Sequence, residues 1–311
     1  MSFTTDIKQE IANVDLERHC QKAQLAALML LTSSLTISGG NMGILVRSES
    51  PTTCKRAMYL LKKLFDVDTS LQVARKTNLQ KNNVYTIQIE KGGVQILEEL
   101  GLYSQRGLEN HPSYDIVMRN CCAASYLAGA FLAYGSCNDP QNNNYHLEIA
   151  LQEIEYANFI VKLISRFDMQ AKIVKRRNSY VVYLKKADYV SDFLALIRAH
   201  DAMMRFEDER IARDLKNSVS RIDNCEIANV EKSIRAGQKQ IAAIEAIKLA
   251  GKYDKLNEKL KNVAEIRLRY PEASLLELCE AYQSNYGEAI SKSGMKHRLN
   301  KIGSYADSLE E

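Results

Sequence analysis

The chain has no CxxC pair, no long apolar run and little net charge. Its seven cysteines (Cys20, Cys54, Cys121, Cys122, Cys137, Cys225 and Cys279) are odd in number and irregularly spaced. That argues against a disulfide framework and predicts buried free thiols. The N-terminus MSFTTDIKQEIANV lacks a basic region followed by an apolar stretch, and Ala26 to Leu31 is too short to span a bilayer. A cytoplasmic protein with no membrane partner is expected. A net charge of +4 neither demands nor excludes a polyanionic partner, so where the positive charge lies matters more than its sum. What is present is ordinary globular composition: 311 residues, 46% apolar and 26% charged, enough for two domains.

The most distinctive stretch is Tyr126 to Ser136, YLAGAFLAYGS. It reads as an apolar helix that stops at a glycine, with Ser125, Gly129 and Ala133 at i, i+4 and i+8 on one face. Glycine inside a helix costs roughly 1 kcal/mol relative to alanine, so Gly129 points to close packing against another backbone. A weaker copy, Ala23 to Ser34 (AQLAALMLLTSS), carries the small pair Ala23 and Ala27. Matching Leu25 to Leu127 brings out the same element order twice.

In the first half an amphipathic helix carrying Ile7, Ile11 and Val14 precedes the small-residue helix. Gly39-Gly40, a short strand at Ile44 to Val46 and a helix from Thr52 to Phe65 follow, with Pro51 near the helix start. Strands Leu71 to Arg75 and Val84 to Ile89 flank the turn Lys81-Asn82-Asn83, and a helix Gly92 to Leu100 closes the unit. In the second half the helix Cys122 to Tyr134 leads to a strand Tyr145 to Ile149 and a helix from about Gln152 to Phe167. Strands Ala171 to Lys175 and Tyr180 to Leu184 then surround Asn178-Ser179, before a helix from about Ala187 to Ala199. The expectation is an α+β fold in which two α-β-α-β-β-α units pack as a pseudo-two-fold pair, each too small to bury its sheet face alone. The two small-residue helices form the seam.

Cations gather around the hairpins: Arg75, Lys76 and Lys81 at the first, and Lys172, Lys175, Arg176, Arg177, Lys185 and Lys186 at the second. They suit a sheet that meets phosphates, where their neutralisation releases counterions. Basic strand edges equally protect against aggregation, and both readings stay open. Beyond about Arg205 strand signals vanish. Ile222, Ile227, Val230, Ile234, Ile241, Ile244 and Ile247 follow helical spacing up to Gly251, as linking helices with one apolar side would. The chain therefore divides into repeats at 1–115 and 116–205, linking helices at 206–250 and an all-helical unit at 251–311.

In that last unit Leu256, Leu260, Val263 and Ile266 mark a helix ending near Tyr270-Pro271. Ser274 and Glu277 have capping-box spacing at the start of a second helix with Leu275, Leu278 and Tyr282 on its apolar side. Ser291 or Ser293 caps a third, whose apolar residues are Met295, Leu299 and Ile302. Ser293, Lys296, His297 and Asn300 fall on the opposite side, flanked by Lys292, Arg298 and Lys301. A helix entering the major groove needs such a pair of faces. Lys296, His297 and Asn300 are suited to base edges, and Lys292, Arg298 and Lys301 to phosphates. The turn before this helix is longer than the usual three or four residues.

Leu127 through Ser136 resembles the LAGLIDADG motif of homing endonucleases, with Leu25 through Ser33 as the first copy. The resemblance implies a saddle of strands lying on DNA, with the motif helices at its centre. In that family the aspartate before the final glycine of each motif holds divalent metal at the scissile phosphate. Tyr134 and Thr32 stand there instead, and a neutral phenol and hydroxyl bring no charge for Mg²⁺. Nuclease chemistry, and any metal or cofactor, is expected to be absent. Asp139 and Glu148 lie nearby in sequence but read as a turn residue and an exposed strand position.

Together with its C-terminal unit, the whole chain resembles the WhiA family of bacterial regulators. The specific runs are Asn217 to Asn229 (NSVSRIDNCEIAN), Tyr270 to Leu278 (YPEASLLEL), Ile290 to Gly294, and His297-Arg298-Leu299. The resemblance implies a nucleoid-associated regulator that binds double-stranded DNA through a helix-turn-helix. In different lineages the family serves sporulation, cell division or chromosome segregation. The alternatives are an active endonuclease with relocated metal ligands and a protein-interaction platform. Lys296 stands where the family pattern leads one to expect asparagine.

Overall fold

A computed structural model of the chain describes residues 2–38, 41–67, 69–75, 83–105, 107–142 and 144–309. The expected turn residues Gly39-Gly40 and Lys81-Asn82, together with Lys76, lie outside these. The chain forms two units, Met1–Ala212 and Arg213–Glu311.

In the first unit, α1 (Phe3–Asn13) and α2 (Arg18–Thr32) run into β1 (Ser33–Ser38) and β2 (Asn41–Ser48). Next come α3 (Pro51–Phe65), β3 (Ser70–Arg75), β4 (Asn83–Ile89) and α4 (Gly93–Glu99). The short pair β5 (Tyr103–Ser104) and β6 (Gly107–Leu108) and the turn α5 (Tyr114–Val117) lead to the second repeat. That repeat is α6 (Asn120–Tyr134), β7 (Gly135–Cys137), β8 (Leu147–Leu151), α7 (Ile154–Ser165), β9 (Lys172–Arg176), β10 (Ser179–Leu184) and α8 (Ala187–Leu196). Two antiparallel sheets of equivalent order result, β1-β2-β4-β3 and β7-β8-β10-β9.

Each repeat thus contains one strand more than the expected α-β-α-β-β-α. The additional strands escape periodicity for local reasons. β1 (SSLTIS) follows its helix without a break, with Ser33 already opposite Val46, and β7 has only three residues. β8 also lies two residues beyond the expected strand. Because side chains alternate with period two, the shift keeps the same face inward, and Leu147, Ile149 and Leu151 join Val182 and Leu184 in the core. In the first sheet Ile44, Val46, Ile87 and Ile89 do the same.

Among the described residues α2 and α6 make the most extensive helix contact, and α6 is buried from Ser125 to Ala133. A Cβ placed on Gly129 would fall on the Gln24 carbonyl oxygen and lie 2.9 Å from Ala27 Cβ. The small-residue stripe is therefore where the two backbones meet. Gly135 ends α6 in an extended conformation, and a Cβ there would strike the Phe131 ring. Arg56, which sequence reading passed over, is buried at this corner. Its Nε donates to Gln24 Oε1 at 2.7 Å, and its Nη atoms donate to the Ala12 and Val14 carbonyls at 2.9 Å each. The guanidinium so fixes the end of α1 against α2 with charge-assisted hydrogen bonds.

The anticipated linking helices are one helix, α9 (His200–Leu249), of 50 residues. Residues 200–236 contain neither proline nor glycine, and Gly237, the one glycine of the helix, does not break it. Ile211, Leu215, Val219, Ile222, Ile227 and Val230 are exposed along its middle, whereas Ile244 and Ile247 are fully buried. Two of the cysteines expected to be buried, Cys121 and Cys225, are exposed; the latter lies on that open stretch of α9. No helix among the described residues is long and apolar enough to cross a membrane.

Candidate nucleic-acid interface

After a 3-10 turn at Tyr253–Lys255 the second unit contains α10 (Glu258–Arg269), α11 (Leu275–Tyr286) and α12 (Lys292–Asp307). Their core comprises Leu256, Val263, Ile266, Leu278, Tyr282, Met295, Leu299 and Ile302, closed by Ile244 and Ile247. The start of α11 carries a complete capping box: the Glu277 backbone donates to Ser274 Oγ, and the Ser274 backbone donates to Glu277 Oε2 at 2.6 Å. That hydrogen bonding holds the Glu277 carboxyl below its ordinary range. Gly287 ends α11 in the left-handed conformation, and Ser291 opens α12 by accepting from the Gly294 backbone at 3.1 Å. The connection, 287–291, is the long turn the sequence suggested. Ser293 lies inside the helix.

The two faces of α12 separate cleanly. Met295, Leu299, Ile302 and Ala306 are buried, while Lys292, Ser293, Lys296, His297, Asn300 and Lys301 are exposed. Among the described residues none of the three lysines has an ion-pair partner, so their charge faces solvent. Arg298 differs from its expected place among the phosphate-facing residues. It is half-buried, donates from Nη1 to Tyr282 Oη at 3.0 Å, and lies 5.5 Å over that ring. It fastens α12 to α11. A second arginine absent from the sequence reading, Arg267, is 2% exposed. Its Nη1 donates to the carbonyls of Tyr270, Pro271 and Ala273 at 3.3, 3.3 and 2.7 Å, organising the chain between α10 and α11.

The basic residues of the first unit lie on the two edge strands and the loops beside them. Arg75 ends β3 and is exposed; Lys172, Lys175 and Arg176 are exposed on β9, and Lys185 follows β10. Alternation divides them: Lys172 and Arg176 share the face turned away from the helices, and Lys175 lies on the other, its Nζ 5.9 Å over the Tyr180 ring. Arg177 forms the hairpin turn with φ 52°. Lys185 sits over Tyr183 at 5.0 Å. Arg176 is not a free cation, because Glu148 Oε2 lies 3.5 Å away and also accepts from His146 Nε2 at 2.8 Å. Glu148, expected to be an exposed strand residue, is therefore a partly shielded member of a His-Glu-Arg cluster. Asp139 is the turn residue it looked to be, accepting from the Gln141 backbone at 3.0 Å.

At the C-terminal ends of the motif helices, Thr32 is buried and spends its hydroxyl on the Leu28 carbonyl at 2.7 Å. Tyr134 is 45% exposed, and burial of its hydroxyl, then Glu49, raise its phenol above the ordinary value. Beside it opens a cleft of about 430 Å³, walled chiefly by Leu30, Leu31, Leu35, Leu97, Leu102 and Leu151. Among the described residues no group of three acidic donors converges here. Glu109 and Glu153 also line the cleft, with Ser33, Ser34, Asn110, Gln152 and Ser179 among its polar residues.

Comparison with known proteins covers the whole of this architecture. The family model for the WhiA N-terminal LAGLIDADG-like domain matches residues 18–103, that for the WhiA LAGLIDADG-like domain residues 123–216, and that for the WhiA C-terminal HTH domain residues 219–306. The chain is 39% identical over 310 residues to "Probable cell division protein WhiA" of Lysinibacillus sphaericus (strain C3-41), covering 99% of this chain and 98% of the relative. Identity to the protein of the same name from Bacillus cereus (strain AH187) is 40%, covering 99% and 97%. The crystal structure of full-length DUF199/WhiA from Thermatoga maritima superimposes with a TM-score of 0.58 at 24% identity, covering 99% of both chains. That of the N-terminal LAGLIDADG domain of DUF199/WhiA gives 0.51 at 23%, covering 63% of this chain and 90% of the other. The chain belongs to the WhiA family.

Proposed function

We propose that the protein binds double-stranded DNA at specific sequences, regulates transcription without cleaving DNA, and acts on the nucleoid in cell division, chromosome segregation or sporulation. The observation carrying this reading is α12, a capped helix docked by Met295, Leu299 and Ile302, with Lys292, Ser293, Lys296, His297, Asn300 and Lys301 presented together to solvent. Lys296, His297 and Asn300 are assigned to base edges and Lys292 and Lys301 to phosphates. Arg298 acts by holding the helix against Tyr282. Arg75, Lys172, Arg177 and Lys185 are assigned secondary phosphate contacts; of the other two candidates, Lys175 lies on the helix-side face of β9 and Arg176 is paired with Glu148, so they contribute less. The neutral Tyr134 and Thr32 at the ends of the motif helices, the latter with its hydroxyl spent on the Leu28 carbonyl, support the absence of cleavage.

Binding isotherms at several salt concentrations test this assignment. Lys292→Ala is expected to weaken binding similarly on all sequences and to lower the salt slope by about 1. His297→Ala and Asn300→Ala are expected to relax preference at particular base pairs, by about 1–3 kcal/mol each. Parent-like curves from all three would refute the assignment. A protein partner on the first unit is the second reading, favoured by Leu71, Val73 and Val174, which are exposed on edge strands β3 and β9. Such edges accept an added strand.

A further inference from the structure

His19-Cys20 and Cys121-Cys122 open the two motif helices, and the repeat that matches Leu25 to Leu127 makes the pairs equivalent. Each occupies the second and third positions of its helix. Because α2 and α6 pack across the pseudo-two-fold seam, the four side chains converge. One ligating atom from each lies within 4.8 Å of all the others. His19 Nδ1 is 3.2 Å from Cys20 Sγ and 3.3 Å from Cys122 Sγ. Its other ring nitrogen, Nε2, is 2.7 Å from Glu17 Oε2. Cys20 and Cys122 are buried, His19 is partly exposed and Cys121 is exposed, so the cluster has a dry floor and a route from solvent.

We propose that His19, Cys20, Cys121 and Cys122 form a structural Zn²⁺ site that clamps the N-terminal ends of α2 and α6. Zn–S bonds of about 2.3 Å and Zn–N bonds of about 2.0–2.1 Å set tetrahedral ligand atoms roughly 3.6–3.8 Å apart, well within the observed span. Three sulfurs and one imidazole nitrogen are a soft donor set that suits Zn²⁺ and not Mg²⁺ or Ca²⁺. Glu17 does for His19 what outer carboxylates do for ligating histidines: it takes the second ring N–H, fixing the tautomer that leaves Nδ1 free to bind. Zn²⁺ with three thiolates carries one net negative charge, which suits a place at the N-terminal ends of two helices. Binding displaces three thiol protons to solvent, so affinity falls as pH is lowered.

The test uses the full chain, purified without chelators under reducing conditions. Elemental analysis is expected to find about one zinc per chain. Replacing it with Co²⁺ is expected to give thiolate charge-transfer absorption in the near ultraviolet and intense tetrahedral ligand-field bands. Cys121→Ser, at an exposed position, is expected to weaken zinc binding by more than about tenfold and to diminish the charge-transfer band, while Cys225→Ser leaves both unchanged. Glu17→Gln, outside the ligand set and on the surface, is expected to weaken binding by roughly 10–100-fold with the cobalt spectrum preserved. The proposal is overturned if the chain neither retains zinc nor takes up stoichiometric Co²⁺. It is equally overturned if Cys121→Ser behaves as Cys225→Ser does, or if two of the three sulfurs form a disulfide in place of the metal.

Discussion

One substitution made at two sites measures how tightly the seam is closed. Glycine to alanine in a helix interior is worth roughly 1 kcal/mol of stabilisation from backbone entropy alone. At Gly303 on α12 nothing lies within 4 Å of the added methyl group, so Gly303→Ala is expected to stabilise the second unit by about 0.5–1 kcal/mol. At Gly129 the same methyl falls on the Gln24 carbonyl oxygen, with Ala27 Cβ at 2.9 Å and the Gln24 carbonyl carbon at 3.2 Å. These are backbone and Cβ atoms that no rotamer change can move aside. Overpacking of one methyl costs typically about 1–3 kcal/mol, and a clash with backbone belongs in the upper part of that range. After the propensity gain, Gly129→Ala is expected to destabilise the first unit by about 1–2 kcal/mol. For a unit of this size that corresponds to a fall of roughly 2–8 °C in its melting transition. Scanning calorimetry of both variants against the parent reads the two effects. A Gly129→Ala protein that melts at or above the parent temperature would show slack between α2 and α6 and refute the close-contact reading of the seam.

Two further perturbations address a buried guanidinium, Arg267, and a partly shielded ammonium, Lys8. Arg267→Met strands the carbonyls of Tyr270, Pro271 and Ala273 and is expected to cost the second unit about 2–4 kcal/mol. Hydrogen exchange between α10 and α11 should quicken with it, and parent-like exchange would argue that the guanidinium is dispensable. Burial holds the Lys8 ammonium down to about 8, against an ordinary value of 10.5. The unfolded chain therefore binds more protons between about pH 8 and 10.5, and this residue's contribution to stability rises with pH across that window. Lys8→Met is expected to be more stable than the parent at neutral pH and to lose that advantage toward pH 10.5. Urea denaturation at either end of the window reads the difference, and an advantage independent of pH would contradict the burial of the charge.

What the sequence made legible depended on how local the signal was. The capping box at Ser274 and Glu277 lies within four residues and is realised in full. Strands β3, β4, β9 and β10 were readable because each is a run of strand-forming residues beside a turn. β1 and β7 were not, because one is a polar continuation of a helix and the other spans three residues. Arg56, Arg267 and Arg298 resemble any surface cation in sequence. Only the fold shows that their guanidinium groups satisfy carbonyls, an amide or a tyrosine in the interior. The thiol and imidazole cluster was hidden differently: Cys20 and Cys121 are remote in the chain and fit no CxxC spacing. A signal was nonetheless available, since superposing the repeats on Leu25 and Leu127 aligns His19 with Cys121 and Cys20 with Cys122.

That alignment bears on how a duplicated fold redistributes chemistry. A pseudo-two-fold axis between two packed helices brings each residue near the axis close to its counterpart in the other repeat, so a donor placed in each copy becomes a pair of donors in space. At the C-terminal ends of α2 and α6 the equivalent positions now hold Thr32, bonded to its own helix, and Tyr134, beside an aliphatic cleft. Among the described residues no group of three acidic donors gathers there. At the N-terminal ends the same axis gathers three sulfurs and an imidazole nitrogen. Side chains at the helix ends can vary without disturbing the seam, because Gly129, Gln24 and Ala27 set the helix separation midway along it. Donors gained at the other end need only two adjacent residues per repeat. The seam thus separates scaffold from chemistry: the contacts that set the helix separation lie midway along it, and the side chains at either end can change without disturbing them.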